Sequence, residues 1–345
     1  MAFLKDLLLQ KEIKSRWVIS NWMGLGEITV MYAPKDHHKT GMALKIAMEV
    51  ITSGQELGAS LSGKVLYLSL DTPRVEMMNR VKALMESKYP LHAEEIGSSL
   101  NISWDSVNLT NDNWETIKGD IKEQYEVQGE YHKEIKIRYI DRVHSYSSMG
   151  KALKHQGYRL LVIDTLSKAL VGSGVNDDAI IRKVIYNLRE IIRGASDNVS
   201  ILLIHHTGKD ASRGMMGTSI LSNDISTVLK IKKKKDGFEL VREKHKSSLS
   251  GKGIPFKSRS VVINYNDELH ESIYVDIGTG LDEFDAQIVE QFNKGLSKKE
   301  INGNTRLLGL GNNTTDKSFA VSFNRRWNKL IDTGFIENKK QDNKT

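Results

Sequence analysis

Apolar runs that read as strands alternate along this chain with segments of helical periodicity, and that alternation restricts the fold more than any other feature. Glu27-Ile28-Thr29-Val30-Met31-Tyr32, Val65-Leu66-Tyr67-Leu68-Ser69-Leu70, Arg159-Leu160-Leu161-Val162-Ile163-Asp164 and Ser200-Ile201-Leu202-Leu203-Ile204 are the strand candidates. Between them, residues 40–52 place Ala43, Ile46, Ala47 and Val50 at helical intervals, and residues 177–192 do the same with Ile181, Val184, Ile185, Leu188 and Ile192. A strand that is apolar on both faces must be covered on both, and helices that return the chain between such strands make the sheet mostly parallel. The expectation is an α/β core.

The first strand runs into Ala33-Pro34-Lys35-Asp36-His37-His38-Lys39-Thr40 and then into a helix. A phosphate-binding loop of the Walker A kind belongs at such a junction. Backbone N–H groups and the helix N-terminus must wrap the phosphates, a lysine must reach them, and a hydroxyl must serve Mg²⁺. Lys39 and Thr40 meet the last two demands. Ala33 and His38 stand where the pattern has glycine, so on this octapeptide alone a loop that merely contains Lys-Thr competes with a nucleotide site. Adjacent histidines project differently, and no carboxylate is well placed by the sequence to complete a metal site with His37 and His38. Asp164 adds to the nucleotide reading. It ends a buried strand downstream, as a Walker B carboxylate does when it holds Mg²⁺ through water. A helix cap or a salt bridge is the plainer role for such an aspartate.

Several segments stand apart from the alternation. Residues 1–16 carry Phe3, Leu4, Leu7 and Leu8 on one face, interrupted by Lys5 and Asp6, which reads as a short amphipathic helix rather than a secretory signal. Residues 85–137 are polar and weakly periodic, with Trp104 and Trp114 as isolated anchors, and read as an insertion in a core spanning 17–276. Residues 226–275 suggest two or three antiparallel strands, turning at Lys235-Asp236-Gly237 and around Gly251–Gly253. Residues 281–345 read as a separate unit. Phe284, Ile288, Val289 and Phe292 share a helical face closed by Gly295, and Ser297-Lys298-Lys299-Glu300 is a capping box. Phe319, Phe323, Trp327, Leu330 and Ile331 mark a third helix, and Phe335-Ile336 could open a wing. The expected fold of this unit is a winged helix-turn-helix. Cysteine is absent from all 345 residues, which rules out disulfides and thiolate metal sites. The net charge of +7 is compatible with a polyanionic partner. No apolar run is long enough for a membrane span.

Taken in order, four blocks resemble the RepA-like hexameric replicative helicases of plasmids and phages, a branch of the RecA and DnaB superfamily. They are Gly26–Pro34; Val65–Asp71 followed by Arg80-Val81-Lys82-Ala83-Leu84; Leu161–Ser167; and Ile204-His205-His206-Thr207-Gly208-Lys209-Asp210 with Arg213-Gly214-Met215-Met216-Gly217-Thr218-Ser219. The last is the most specific, and the resemblance covers residues 17–265.

The resemblance implies a RecA-like P-loop NTPase core, ATP and Mg²⁺ as cofactors, single-stranded DNA as partner, a homo-oligomeric ring, a hexamer in the family's manner, and a bacterial, plasmid or phage cytoplasm. The loop Ala33, Pro34, Lys35, Asp36, His37, His38, Lys39 and Thr40 would hold the nucleotide, with Thr40 and Asp164 serving the metal. Asp71 stands where the family has a water-activating glutamate and is one methylene shorter. His206 matches the residue that senses the γ-phosphate, where a satisfied histidine pair is the plainer reading. Lys209 and Arg213 fall in the loop that lines the DNA channel. Lys244 and Lys246, with Arg242 behind them, fall where relatives place a basic finger onto the neighbouring subunit's nucleotide, whereas Lys232–Lys235 reads as a solvated hairpin edge. In the C-terminal unit Arg325, Arg326 and Lys329 are the DNA candidates, although eleven basic against nine acidic side chains leave it only weakly charged; a replication protein is the other partner for it. Two readings compete with the helicase: a nucleotide-binding DNA-binding regulator with weakened catalysis, and a RecA/RadA-like recombination ATPase.

Overall fold

The computed structural model describes residues 17–54, 56–114, 116–117, 145–208, 214–217, 219–245, 253–265, 268–277, 288, 291–292, 296–307 and 316–332. The chain divides into two compact units, 1–277 and 278–345. The amphipathic segment 1–16 lies outside the described residues.

The first unit is built on one nine-stranded sheet. Its strands are β3 (Ile28–Ala33), β4 (Lys64–Ser69), β5 (Leu100–Ser103), β8 (Tyr158–Asp164), β9 (Ser200–His206), β10 (Thr227–Lys234), β11 (Gly237–His245), β12 (Ile254–Tyr265) and β13 (Glu268–Asp276). They lie in the order β13-β12-β11-β10-β3-β9-β8-β4-β5. From β10 to β5 neighbours are parallel, and from β10 to β13 they are antiparallel. Two short pairs, β1 (Trp17–Ile19) with β2 (Met23–Gly24) and β6 (Ser106–Val107) with β7 (Thr116–Ile117), stand beside it.

The central parallel strands are mostly apolar because both faces are covered; all six residues of β3 are buried. One face packs under α1 (Lys39–Thr52) and α2 (Arg74–Lys88), the other under α4 (Tyr146–His155) and α5 (Asp178–Gly194). The predicted 177–192 helix is α5, and Asp177 caps it by accepting from the N–H groups of Ala179 (2.9 Å) and Ile180 (3.2 Å). Helices α4 and α5 approach so closely that a Cβ at Gly150 would strike the Ile191 carbonyl, and one at Gly194 the Ser147 carbonyl.

Two expectations are corrected. The stretch 85–137 is not an insertion from its first residue: residues to Lys88 finish α2, α3 (Ala93–Ser99) follows, and β5 is the parallel edge strand beside β4. Trp114 is buried against Tyr146, and residues 118–137 lie outside the described residues. The region 226–275 holds four strands rather than two or three, and its first, β10, also joins the parallel sheet through β3.

In the second unit α7 (Lys298–Leu307) and α8 (Asp316–Asp332) are described. The capping box forms: the Ser297 N–H and hydroxyl both donate to the Glu300 carboxylate, at 2.8 and 2.6 Å. Ile288, Ile301, Phe319, Phe323, Trp327 and Leu330 make its core. Phe284, Val289, Gly295, Phe335 and Ile336 lie outside the described residues, so the wing has no structural description.

Candidate nucleotide site

Strands β3, β9, β8 and β4 are consecutive neighbours, and their C-terminal ends fall within two residues of one another in register. Ala33 pairs with His206, Ile204 with Asp164, and Asp164 with Ser69. Neighbouring strands lie about 4.8 Å apart, so four predicted site elements that are scattered in sequence meet along one edge. The Leu70 N–H donates to the Asp164 carbonyl (2.7 Å), which brings the turn bearing Asp71 against the end of β8.

The loop from Ala33 to Thr40 enters α1 without its glycines but keeps a glycine-like backbone. Asp36 has φ 59° and His38 has φ 55°, both left-handed. For His38 the surroundings offset this cost. Its ring meets the edge of Phe238 on β11 at 4.9 Å between centroids, His37 meets the same ring at 5.6 Å, and Phe238 stacks on Phe256 of β12. Lys35 and Asp36 are exposed.

Lys39 is buried and turned back on the loop. Its ammonium donates to the carbonyls of Ala33 (3.1 Å) and Pro34 (2.7 Å), and burial lowers its pKa to about 8. The Thr40 hydroxyl donates to Asp164 Oδ2 at 2.8 Å. The Tyr67 hydroxyl, fully buried on β4, donates to the same oxygen at 2.7 Å. Burial raises the Asp164 pKa, and the two hydroxyl donors oppose that shift. A hydroxyl beside a buried carboxylate at the start of a helix suits Mg²⁺, and the Lys39 ammonium suits phosphate. Asp71 is 40% exposed, with Lys168 Nζ 3.4 Å from its carboxylate. His206 is half-buried, and its pKa is lowered, first by burial and then by Lys39.

His205 is completely buried. Its Nε2 lies 2.8 Å from the Met216 carbonyl, and burial lowers its pKa to about 4, so the neutral ring donates there. The Met216 N–H returns a bond to the His206 carbonyl (3.0 Å), and Thr207 bridges Met215. These bonds close the base of the loop that carries Lys209 and Arg213, both outside the described residues. The Thr207 N–H donates to the Ala33 carbonyl (3.2 Å), which also accepts from Lys39. One carbonyl thus joins the phosphate lysine to the root of that loop.

Of the basic-finger candidates, Lys244 is engaged within its own chain. Lys244 Nζ donates to the carbonyls of Ser222 (2.6 Å) and Asn223 (2.8 Å), capping α6 (Ser219–Asp224) within its own chain. Arg242 is buried and donates to the Asn21 carbonyl. A cation near a helix C-terminus satisfies free carbonyls, and that is the position Lys244 occupies here. Lys246 lies outside the described residues. On α8, Arg325 is exposed and Arg326 half-buried. Sequence reasoning missed Tyr67, Phe238, Lys168 and the His205 staple. Of these, Tyr67 left a signal, since a tyrosine within an apolar strand needs a partner for its hydroxyl.

A family profile described as an AAA domain matches residues 4–212, more than half of the chain. The chain belongs to this family of AAA-type P-loop ATPases. No curated protein matches it. The family binds nucleotide, usually with Mg²⁺, and the matched span holds Lys39, Thr40, Asp71, Asp164 and His206. Among the described residues, no helix is long and apolar enough to cross a membrane.

Proposed function

We propose that this ATPase is a nucleic-acid motor, a RepA-like ring helicase that acts on single-stranded DNA in replication in a bacterial, plasmid or phage cytoplasm. The observation that carries the reading is the bridge between Thr207, which follows β9, and Met215, with Lys209 and Arg213 between them in sequence. His206 stands beside the phosphate site, and the next residues form the root of the loop bearing Lys209 and Arg213.

ATP would lie over the 33–40 loop, with Lys39 leaving the Ala33 and Pro34 carbonyls to meet phosphate oxygens. Thr40 and Asp164 would hold Mg²⁺, which supplies charge neutralisation at the phosphates. Asp71 would orient the attacking water once released from Lys168. The change at Lys39 frees one acceptor on Ala33, the residue that holds Thr207, so the state of the site reaches the 207–215 loop through one peptide. Lys209 and Arg213 there would contact DNA phosphates, a sequence-independent and salt-sensitive interaction. A neighbouring copy would close the site in a hexamer, with Lys246 as the remaining candidate finger. The C-terminal unit would hold DNA through Arg325, Arg326 and Lys329, or a replication protein, as a winged helix.

The second reading is a nucleotide-binding regulator with weakened catalysis. It is favoured by the pairing of Asp71 with Lys168 and by the loss of both loop glycines. Strand displacement on a forked duplex, run beside native mass measurement with ATP and Mg²⁺, decides between them. Hexamers that unwind DNA, with unwinding lost in Lys39→Ala, support the motor. Nucleotide binding without turnover or unwinding selects the regulator.

A further inference from the structure

The buried Tyr67–Asp164 contact has no part in the proposed chemistry, although it touches the carboxylate on which the metal site depends. Asp164 Oδ2 takes two hydroxyl donors, Thr40 at 2.8 Å and Tyr67 at 2.7 Å. Among the described residues, Oδ1 takes none. Tyr67 is completely buried in the middle of β4, opposite Val162 of β8, and its ring belongs to the core under α1. A tyrosine has two side-chain torsions, and packing fixes both here, so its hydroxyl is a rigid point. Thr40, by contrast, sits on the first turn of α1, at the end of a loop whose lysine must move when phosphate arrives. The two donors therefore differ in kind: one belongs to the moving element and one to the sheet.

We propose that Tyr67 is a positioning residue for the metal site. It holds the Asp164 carboxylate in the rotamer that keeps Oδ2 on the Thr40 hydroxyl, so that the carboxylate would be set to serve the metal. The inference rests on the nucleotide reading above. Partners that orient metal-holding carboxylates typically change metal affinity 10–100-fold when removed. Loss of the Tyr67 hydroxyl should therefore weaken metal uptake while leaving the phosphate contacts of Lys39 in place.

The test is Tyr67→Phe, which keeps the ring and removes the hydroxyl. Mn²⁺ binding in the presence of ADP is followed by electron paramagnetic resonance, and metal-free ADP binding in EDTA by calorimetry. The expected result is a loss of Mn²⁺ affinity of about 10-fold or more, with metal-free ADP affinity unchanged within about 2-fold. Equal Mn²⁺ affinity in the two proteins overturns the role, as does an equal fall in both measurements, which would mark general damage to the loop. If the wild-type chain binds ADP in neither condition, the nucleotide reading itself fails and Tyr67 loses its role with it. Should Tyr67→Phe not fold, the Tyr67 hydroxyl proton of the wild-type chain supplies a second readout by magnetic resonance. It should shift when Mg²⁺ is added to ADP-saturated protein, and an unmoved resonance overturns the proposal.

Discussion

Replacing His38 by glycine and, separately, by alanine isolates the cost of a phosphate loop built without glycine. His38 sits at φ 55°, ψ 33°, where a side chain is crowded by its own backbone at a cost of about 1–2 kcal/mol. Both variants lose the edge contact with Phe238, worth about 0.5–1.5 kcal/mol. That loss cancels in the comparison between them. Glycine also enlarges the freedom of the unfolded chain, which gives back about 0.4–1 kcal/mol. The remainder places His38→Gly about 1 kcal/mol above His38→Ala and close to the wild-type protein. For a unit of this size about 1 kcal/mol is a few degrees in Tm. Urea unfolding and thermal melts of the three proteins, without nucleotide, measure the order. Alanine equal to or more stable than glycine would refute the reasoning, because the loop would then not be held in the left-handed conformation.

Acid should weaken the fold through His205. Its pKa is held at about 4 in the folded chain against about 6.5 unfolded, so unfolding takes up a proton between those values. Stability is fully present above pH 6.5 and declines by up to about 3 kcal/mol toward pH 4, and His205→Gln should flatten that slope in pH-dependent urea melts. Lys45→Met strips the buried Glu49 of its ammonium partner at 3.2 Å. Leaving a buried charge unpaired costs about 3–5 kcal/mol, so its Tm should drop by roughly 10 °C; a change under about 1 kcal/mol would show that the Tyr89 hydroxyl and the Leu57 N–H satisfy Glu49 without it. Gly150→Ala should separate α4 from α5 and lower Tm by several degrees, since the new methyl group meets backbone rather than a side chain that can yield.

The parts of this molecule that could be read from sequence are those in which one residue type answers to one environment. The four apolar strands and α5 were readable because parallel strands are buried on both faces and α5 on one stripe. The edge strand β5 was hidden: it is four residues long, half-exposed at Asn101, and lies in polar sequence. In the site, Lys39, Thr40 and Asp164 were legible from motif and spacing. The rest depended on register. Phe238 reaches His38 only because β10 extends past the end of β3 before turning into β11. Lys244 caps α6 rather than projecting because the tertiary fold brings the helix end to it. Ala33 and His38 at the glycine positions pointed away from a phosphate loop, yet His38 adopts the left-handed backbone that glycine usually supplies.

ATP turnover with and without single-stranded DNA, at fixed low salt, tests the central claim most directly. The account predicts hydrolysis that rises when DNA is added and disappears in Lys39→Ala. No hydrolysis under either condition, or hydrolysis that survives Lys39→Ala, would contradict it.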